Sequence, residues 1–144
     1  EPQNVTLKAE DGLQFNNQLF LPRGLKPGEK RPAVVFVHGG PIRQMLLGYH
    51  YRWVYHVFYG VNQWLADNGY VVLSVNFRSG VGYGRSFRNA PNTGQRGNAE
   101  YQDVVAGAQY QFFVGQASDL GGCSLLGAVV VTYTLHHRTS EMEK

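Results

Sequence analysis

Two continuously apolar runs constrain this chain more than any other feature: Ala33-Val34-Val35-Phe36-Val37, and residues 70–76, which read Tyr-Val-Val-Leu-Ser-Val-Asn. Short runs this rich in β-branched side chains read as strands buried on both faces, as in parallel sheets. Between them, residues 54–68 place Phe58, Val61, Trp64 and Leu65 at helical spacing, and Gly69 follows where a helix C-terminus is capped. Strand, helix and strand in that order build a right-handed parallel crossover. The two runs are therefore predicted to be neighbouring central strands of an α/β fold.

The flanks are read the same way. Residues 5–7 and 13–21 carry β-favouring side chains on either side of Glu10-Asp11-Gly12, where Asp-Gly supplies the positive φ of a tight turn, which predicts an antiparallel start. Residues 22–32, rich in Pro, Gly and charge, read as an exposed connector. Residues 78–97 read as a long Gly-rich loop. Asn98 then caps a predicted helix with Val104, Val105, Ala108 and Phe112 on one face. Glu100 and Asp103 fall at its start, where they can form an acid/base pair; negative charge is favoured there by the helix dipole in any case, and a structural role is the expectation.

With 144 residues, 43% of them hydrophobic, the chain has material for one domain. Glu1 in place of an initiator Met reads as a mature product or a piece of a larger chain. The net charge of +3 is too small to mark a polyanion binder, so Arg78, Arg85, Arg88 and Arg96, set among Phe77, Tyr83 and Phe87, are assigned to structure or a substrate carboxylate, and no nucleic acid is expected. The longest uncharged stretch, 120–135, falls short of the ~20 apolar residues of a spanning helix, and no membrane segment is expected. Cys123 stands alone, which excludes an intrachain disulfide and a Cys-rich metal site.

Chemistry enters at His38-Gly39-Gly40-Pro41, directly after the first apolar run. Glycines lack the Cβ that would keep a backbone N–H from a ligand oxygen. Such a turn can offer donors to the oxyanion of a tetrahedral intermediate, each worth about 3–4 kcal/mol in catalysis. Gly80-Val81-Gly82-Tyr83-Gly84 after the second run invites a dinucleotide reading, but the spacing is wrong. The residues that follow read as loop instead of opening a helix at once, and Asp103 falls inside a helix instead of at the end of the next strand. No cofactor is expected. His50 and His56, among Tyr49, Tyr51, Trp53, Tyr55 and Tyr59, lack the further ligands of a zinc site, and the stretch is assigned to packing ahead of a pocket lining.

Taken together, the motifs resemble the catalytic α/β-hydrolase domain of the prolyl oligopeptidase family of serine peptidases. The match is carried by Val35-Phe36-Val37-His38-Gly39-Gly40-Pro41, by Trp64-Leu65-Ala66 with Asn68-Gly69-Tyr70 through Asn76-Phe77-Arg78-Ser79-Gly80, and by Gly82-Tyr83-Gly84-Arg85 with Phe87. Glu100-Tyr101-Gln102-Asp103 with Ala106-Gly107 looks like the segment before the family's nucleophile. The resemblance implies antiparallel N-terminal strands leading into a parallel sheet with flanking helices, and hydrolysis of peptides through an acyl-enzyme on a serine set in G-x-S-x-G. It assigns Gly39 and Gly40 to the oxyanion loop, with Gly40 as the donor, and gives supporting places to His38, Pro41, Arg78 and Tyr83.

The resemblance is carried over roughly residues 5–115, so that 1–115 reads as the N-terminal half of such a domain and 116–144 as a segment that departs from the family pattern. In this last stretch Ser124 has Gly122 two residues before it, but Leu126 stands where the nucleophile turn needs its second glycine. No Asp follows Ser124, and His136, His137, Glu141 and Glu143 lie too close together to come from separate strand ends. Ser124 is the candidate nucleophile the sequence offers, and it lacks a triad. The expectation is a truncated or frame-disrupted serine peptidase that takes a peptide substrate only when intact. The alternative is a non-catalytic binding or assembly module. Apolar surface left bare on the strands and the last helix would favour self-association.

Overall fold

A computed structural model describes residues 1–40, 42–94, 98–113 and 123–127, without the side chains of 112, 113 and 123–127. Strands β1 (Gln3–Lys8) and β2 (Gln14–Phe20) form the predicted hairpin, in which Leu7 pairs with Phe15. The Ala9 N–H to Leu13 O bond closes its turn at 2.8 Å. After the connector, β3 (Ala33–Val37) and β4 (Val71–Val75) run parallel, with Val35 opposite Leu73 and Val37 opposite Val75. Helix α1 (Trp53–Asp67) links them, as the apolar pattern predicts. The sheet order is β1-β2-β4-β3-β5, where β5 (Cys123–Gly127) lies parallel to β3. All ten residues of β3 and β4 are buried, because α1 covers one face of the sheet and α3 (Ala99–Phe113) the other.

Both helices are where the sequence puts them, but each is rotated about its axis. On α1 the buried residues are Tyr59, Asn62 and Ala66, with Phe58 and Leu65 half-buried, while Trp64 is 63% exposed. Aromatic and aliphatic side chains lie all round this helix, so spacing alone leaves its phase open. The sheet decides it: Phe58 packs on Phe36 with ring centroids 5.1 Å apart, and Tyr59 meets Phe20 edge-on at 5.6 Å. The C-terminus follows the prediction at Gly69, where Gly69 N–H donates to Ala66 O and Tyr70 N–H to Leu65 O in a Schellman arrangement.

On α3 the buried line is Asp103, Val104, Gly107 and Gln111; of the predicted face Val104 is buried, Val105 and Ala108 are half-buried, and the Phe112 side chain lies outside the described residues. Gly107 explains the shift. A Cβ there would sit 3.0 Å from Val75 and 3.1 Å from Leu73, so the missing side chain lets the helix backbone rest on β4. A further correction falls in the segment after β4. The stretch from Arg85 is not continuous loop but opens with a single helical turn, α2 (Arg85–Arg88), which buries Phe87. The large apolar side chains left exposed lie mainly on residues 42–57 and the outer face of α1, Trp53 and Trp64 among them. None of the described residues of α3 joins them.

Candidate active-site loop

Because β3, β4 and β5 are parallel and in register at Val37, Val75 and Gly127, their C-terminal ends share one edge. Ligands of open α/β sheets bind at that edge, and both motif segments leave the sheet there. The β4 exit is tied down. Arg78 is 1% exposed, and its Nη2 donates to Asp103 Oδ1 at 2.7 Å and its Nε to Asp103 Oδ2 at 3.0 Å. Its backbone N–H adds a bond to Asp103 Oδ2 at 2.7 Å. On its far side the same guanidinium holds Asp11 of the hairpin turn, with Nη2 to Oδ1 at 3.0 Å and a close Nη1 to Oδ2 contact. The hydrogen bonds from Arg78 pull the Asp11 carboxyl down to about 2, while burial pushes Asp103 upward.

Two residues earlier, Asn76 forms a second tie. Its Oδ1 accepts from Met45 N–H at 2.7 Å, and its Nδ2 donates to Met45 O at 3.0 Å and to the Tyr83 hydroxyl at 3.1 Å. The segment after the histidine-glycine loop is thereby fastened to the end of β4. Gly80 makes room for the contact, since a Cβ on it would lie 2.6 Å from Arg43 O.

The β3 exit is different. His38 is 2% exposed, stacked on Phe77 with centroids 4.4 Å apart, and its Nε2 has no partner among the described residues. Burial holds its pKa down to about 4, and the charge of Arg43 adds to the depression, so the ring is neutral at physiological pH. Gly39 is anchored through its carbonyl, which accepts from the Tyr55 hydroxyl at 2.6 Å. Gly40 has φ +61°, a left-handed conformation suited to glycine, and the Arg43 guanidinium lies 3.6 Å from where its Cβ would be. Among the described residues, neither the Gly39 nor the Gly40 N–H donates to a backbone carbonyl. The loop thus presents two unengaged donors beside a cation for which the described residues provide no carboxylate partner. Such an arrangement can stabilise negative charge on a ligand oxygen.

The other candidates resolve as follows. Pro41, Arg96, His136, His137, Glu141 and Glu143 lie outside the described residues. Glu100 accepts from the Gly94 N–H at 3.1 Å and Asp103 is bound to Arg78, so the two carboxylates do structural work and form no acid/base pair. Arg85 and Arg88 are the exposed first and last residues of α2, whereas Arg78 is buried. His50 is buried and accepts from Arg52 N–H at 2.9 Å, a packing role. Ser124 sits inside β5 opposite Val34, three residues before the strand end at Gly127, and not at the edge where the loop emerges. The sequence continues from Gly127 as Ala128-Val129-Val130-Val131, without a hydroxyl. The sequence reading placed Asp11 in a turn, Asn76 in a strand and Tyr55 in a packed stretch but missed the ties they make, and it missed Arg43 beside Gly40 altogether. Their partners lie up to 67 residues away, and no local pattern marks such pairs.

Residues 56–119 match the model of the prolyl oligopeptidase family. Dipeptidyl aminopeptidase BIII of Pseudoxanthomonas mexicana is 36% identical over 112 residues, which cover 74% of this chain but 15% of that protein. Among solved structures, an acylaminoacyl peptidase of Pyrococcus horikoshii superposes with TM-score 0.67 at 30% identity, over 93% of this chain and 20% of the other. A puromycin-hydrolyzing peptidase of Mycobacterium tuberculosis gives TM-score 0.73 at 27% identity, over 93% and 19%. The chain therefore spans about one-seventh to one-fifth of the length of these relatives.

Proposed function

Since the chain belongs to the prolyl oligopeptidase family, we propose that residues 1–115 form the first part of a serine-peptidase catalytic domain whose His38–Gly40 loop supplies oxyanion donors, with Gly40 the principal one. The observation that carries this reading is the pair of N–H groups without a partner among the described residues, at the C-terminal edge of the sheet next to Arg43. In acyl transfer the attacking serine forms a tetrahedral intermediate, and donors already aimed at its oxygen stabilise the charge that develops. Arg78 and Tyr83 support the rim, Arg78 through Asp103 and Asp11, Tyr83 through Asn76. Neutral His38 fills the floor of the loop.

By the same reading, the 144-residue chain has no peptidase or esterase turnover of its own. The nucleophile, base and orienting acid must lie within hydrogen-bond reach of one another, and Ser124 lies inside a strand. The absence of a hydroxyl from Gly127 to Val131 in the sequence favours a second reading, a non-catalytic binding or assembly module. The test offers the chain a p-nitrophenyl acyl ester, a peptide amide and a serine-directed phosphonate, with Ser124→Ala as control. No turnover and no labelling are expected. Labelling that vanishes in Ser124→Ala would make Ser124 a nucleophile and overturn the proposal. Activity regained after grafting a family C-terminal half would select the peptidase reading over the module.

A further inference from the structure

We propose that the pocket of about 300 Å³ between the β1–β2 pair and residues 44–47 binds the main chain of a short, uncharged peptide segment through its carboxamides. Of the ten residues that line it, six are Asn or Gln and none is charged. A carboxamide shows one donor face and one acceptor face, the same pair that a trans peptide group displays, so the two meet in two-point contacts. A charged ligand would lose its hydration there with no counter-charge to replace it.

Four of the six hold the walls: Asn4 donates to Asn16 Oδ1 at 3.4 Å, and that oxygen also accepts from the Thr6 hydroxyl at 2.8 Å. Asn17 donates to Val5 O and Phe15 O at 3.2 Å, and its Oδ1 accepts from Asn76 N–H, while Asn76 is spent on Met45 and Tyr83. Gln18 is different. It is 1% exposed, and neither its Oε1 nor its Nε2 has a partner among the described residues. Ser74, directly opposite it across β2 and β4, carries a buried hydroxyl in the same condition. Buried polar groups in native proteins are paired as a rule, and an exception calls for an occupant. Gln44 stands at the rim, half-buried, where a Cβ on Gly82 would touch it.

The position fits a peptide lying against the loop. Asn76 and His38 are the residues that follow the paired Val75 and Val37, so pocket and loop open from neighbouring strands, about 4.8 Å apart. An extended residue spans about 3.4 Å, and a few residues reach from one to the other. The assignment of this occupant as part of a substrate rests on the peptidase reading above; the pocket's preference for peptide groups does not.

The test titrates the ¹⁵N-labelled 144-residue chain with N-acetyl-glycyl-glycine N-methylamide, a neutral peptide blocked at both ends, and follows side-chain NH₂ signals by NMR. Saturable shifts of the Gln18 and Gln44 signals are expected. A glycol diether of similar size, which has no N–H, is expected to give none. Gln18→Leu should weaken binding about tenfold. If that variant loses the signal dispersion of a folded chain, Gln44→Ala at the rim decides, with weakening again expected. Absence of saturable shifts at Gln18, equal shifts with the diether, or unchanged affinity in the deciding variant would overturn the proposal. Because hydrolysis is not read, failure here leaves the oxyanion reading intact, and failure of that reading leaves this one intact.

Discussion

The β4 exit and the β3 exit leave the sheet at the same edge, side by side, with Val75 paired to Val37. After β4, Arg78 is enclosed by two carboxylates and Asn76 by Met45 and Tyr83, so the guanidinium and the carboxamide there are held by protein partners, while the Ser79 hydroxyl is buried without one among the described residues. After β3, His38 keeps an unpartnered Nε2 and the Gly39 and Gly40 N–H groups keep free directions among the described residues. The contrast separates holding from binding. A donor meant for a ligand must be left unsatisfied by the fold, which weakens the fold locally, and a neighbouring over-determined segment compensates.

The comparison breaks hardest at Arg78. Arg78→Met leaves Asp103 buried with no cation beside it, and the expected loss is about 3–5 kcal/mol, read from the urea midpoint by circular dichroism. Arg78→Met combined with Asp103→Leu should recover a large part of this, since no charge is then left buried and unpaired. A double variant no more stable than the single one would show that packing, not charge pairing, holds the β4 exit.

Acid acts next, at the β3 exit. His38 has its pKa depressed from 6.5 to about 4, so between those values the unfolded chain binds a proton that the folded chain refuses. The share of stability that His38 supplies above pH 6.5 therefore falls as pH drops toward 4, by about 3 kcal/mol; His50, also lowered by burial, adds to the loss in this window, and Asp103, raised by burial, opposes it. Asp11, lowered from 3.8 to about 2, acts in a more acidic window and does not overlap. Urea titrations at pH 7 and pH 4.5 measure the loss, and His38→Phe, which keeps a ring against Phe77, should make it smaller by the share of His38. A wild-type chain equally stable at both pH values would count against a buried neutral His38.

The smallest effect is expected at Gly40. Gly40→Ala imposes the left-handed cost of a side chain at φ +61°, about 1 kcal/mol, with no clash, since the nearest atoms to that Cβ are 3.6 Å away on Arg43. A loss of several kcal/mol in the same urea assay would mean that the loop is as tightly held as the β4 exit.

Much of this was legible in the sequence because it is local. The apolar runs at 33–37 and 70–76, the Asp11-Gly12 turn and the cap at Gly69 each act over a few residues, and the strand-helix-strand order fixes the parallel pairing of β3 and β4. The His38-Gly39-Gly40 turn was legible as a turn leaving β3 for the same reason. Which face of α1 and α3 is buried was not, because both helices are apolar on more than one side. Trp64 lost its place to Tyr59 only when Phe20 and Phe36 were opposite.

What the sequence determined alone, then, is the order of β1 to β4 with the helices α1 and α3, and the place of the His38–Gly40 turn after β3, since propensity, periodicity and turn geometry are properties of neighbours in the chain; the short α2 and β5 left no such mark. Only the tertiary structure decided that Arg78 pairs with Asp11 across 67 residues, that Tyr55 anchors Gly39, that Asn76 fastens Met45, and that Ser124 lies inside a strand. Each of these depends on where sheet pairing and helix phase bring distant residues. Hydrogen bonds and charge pairs of that range are set by packing, which leaves no periodic mark on the chain.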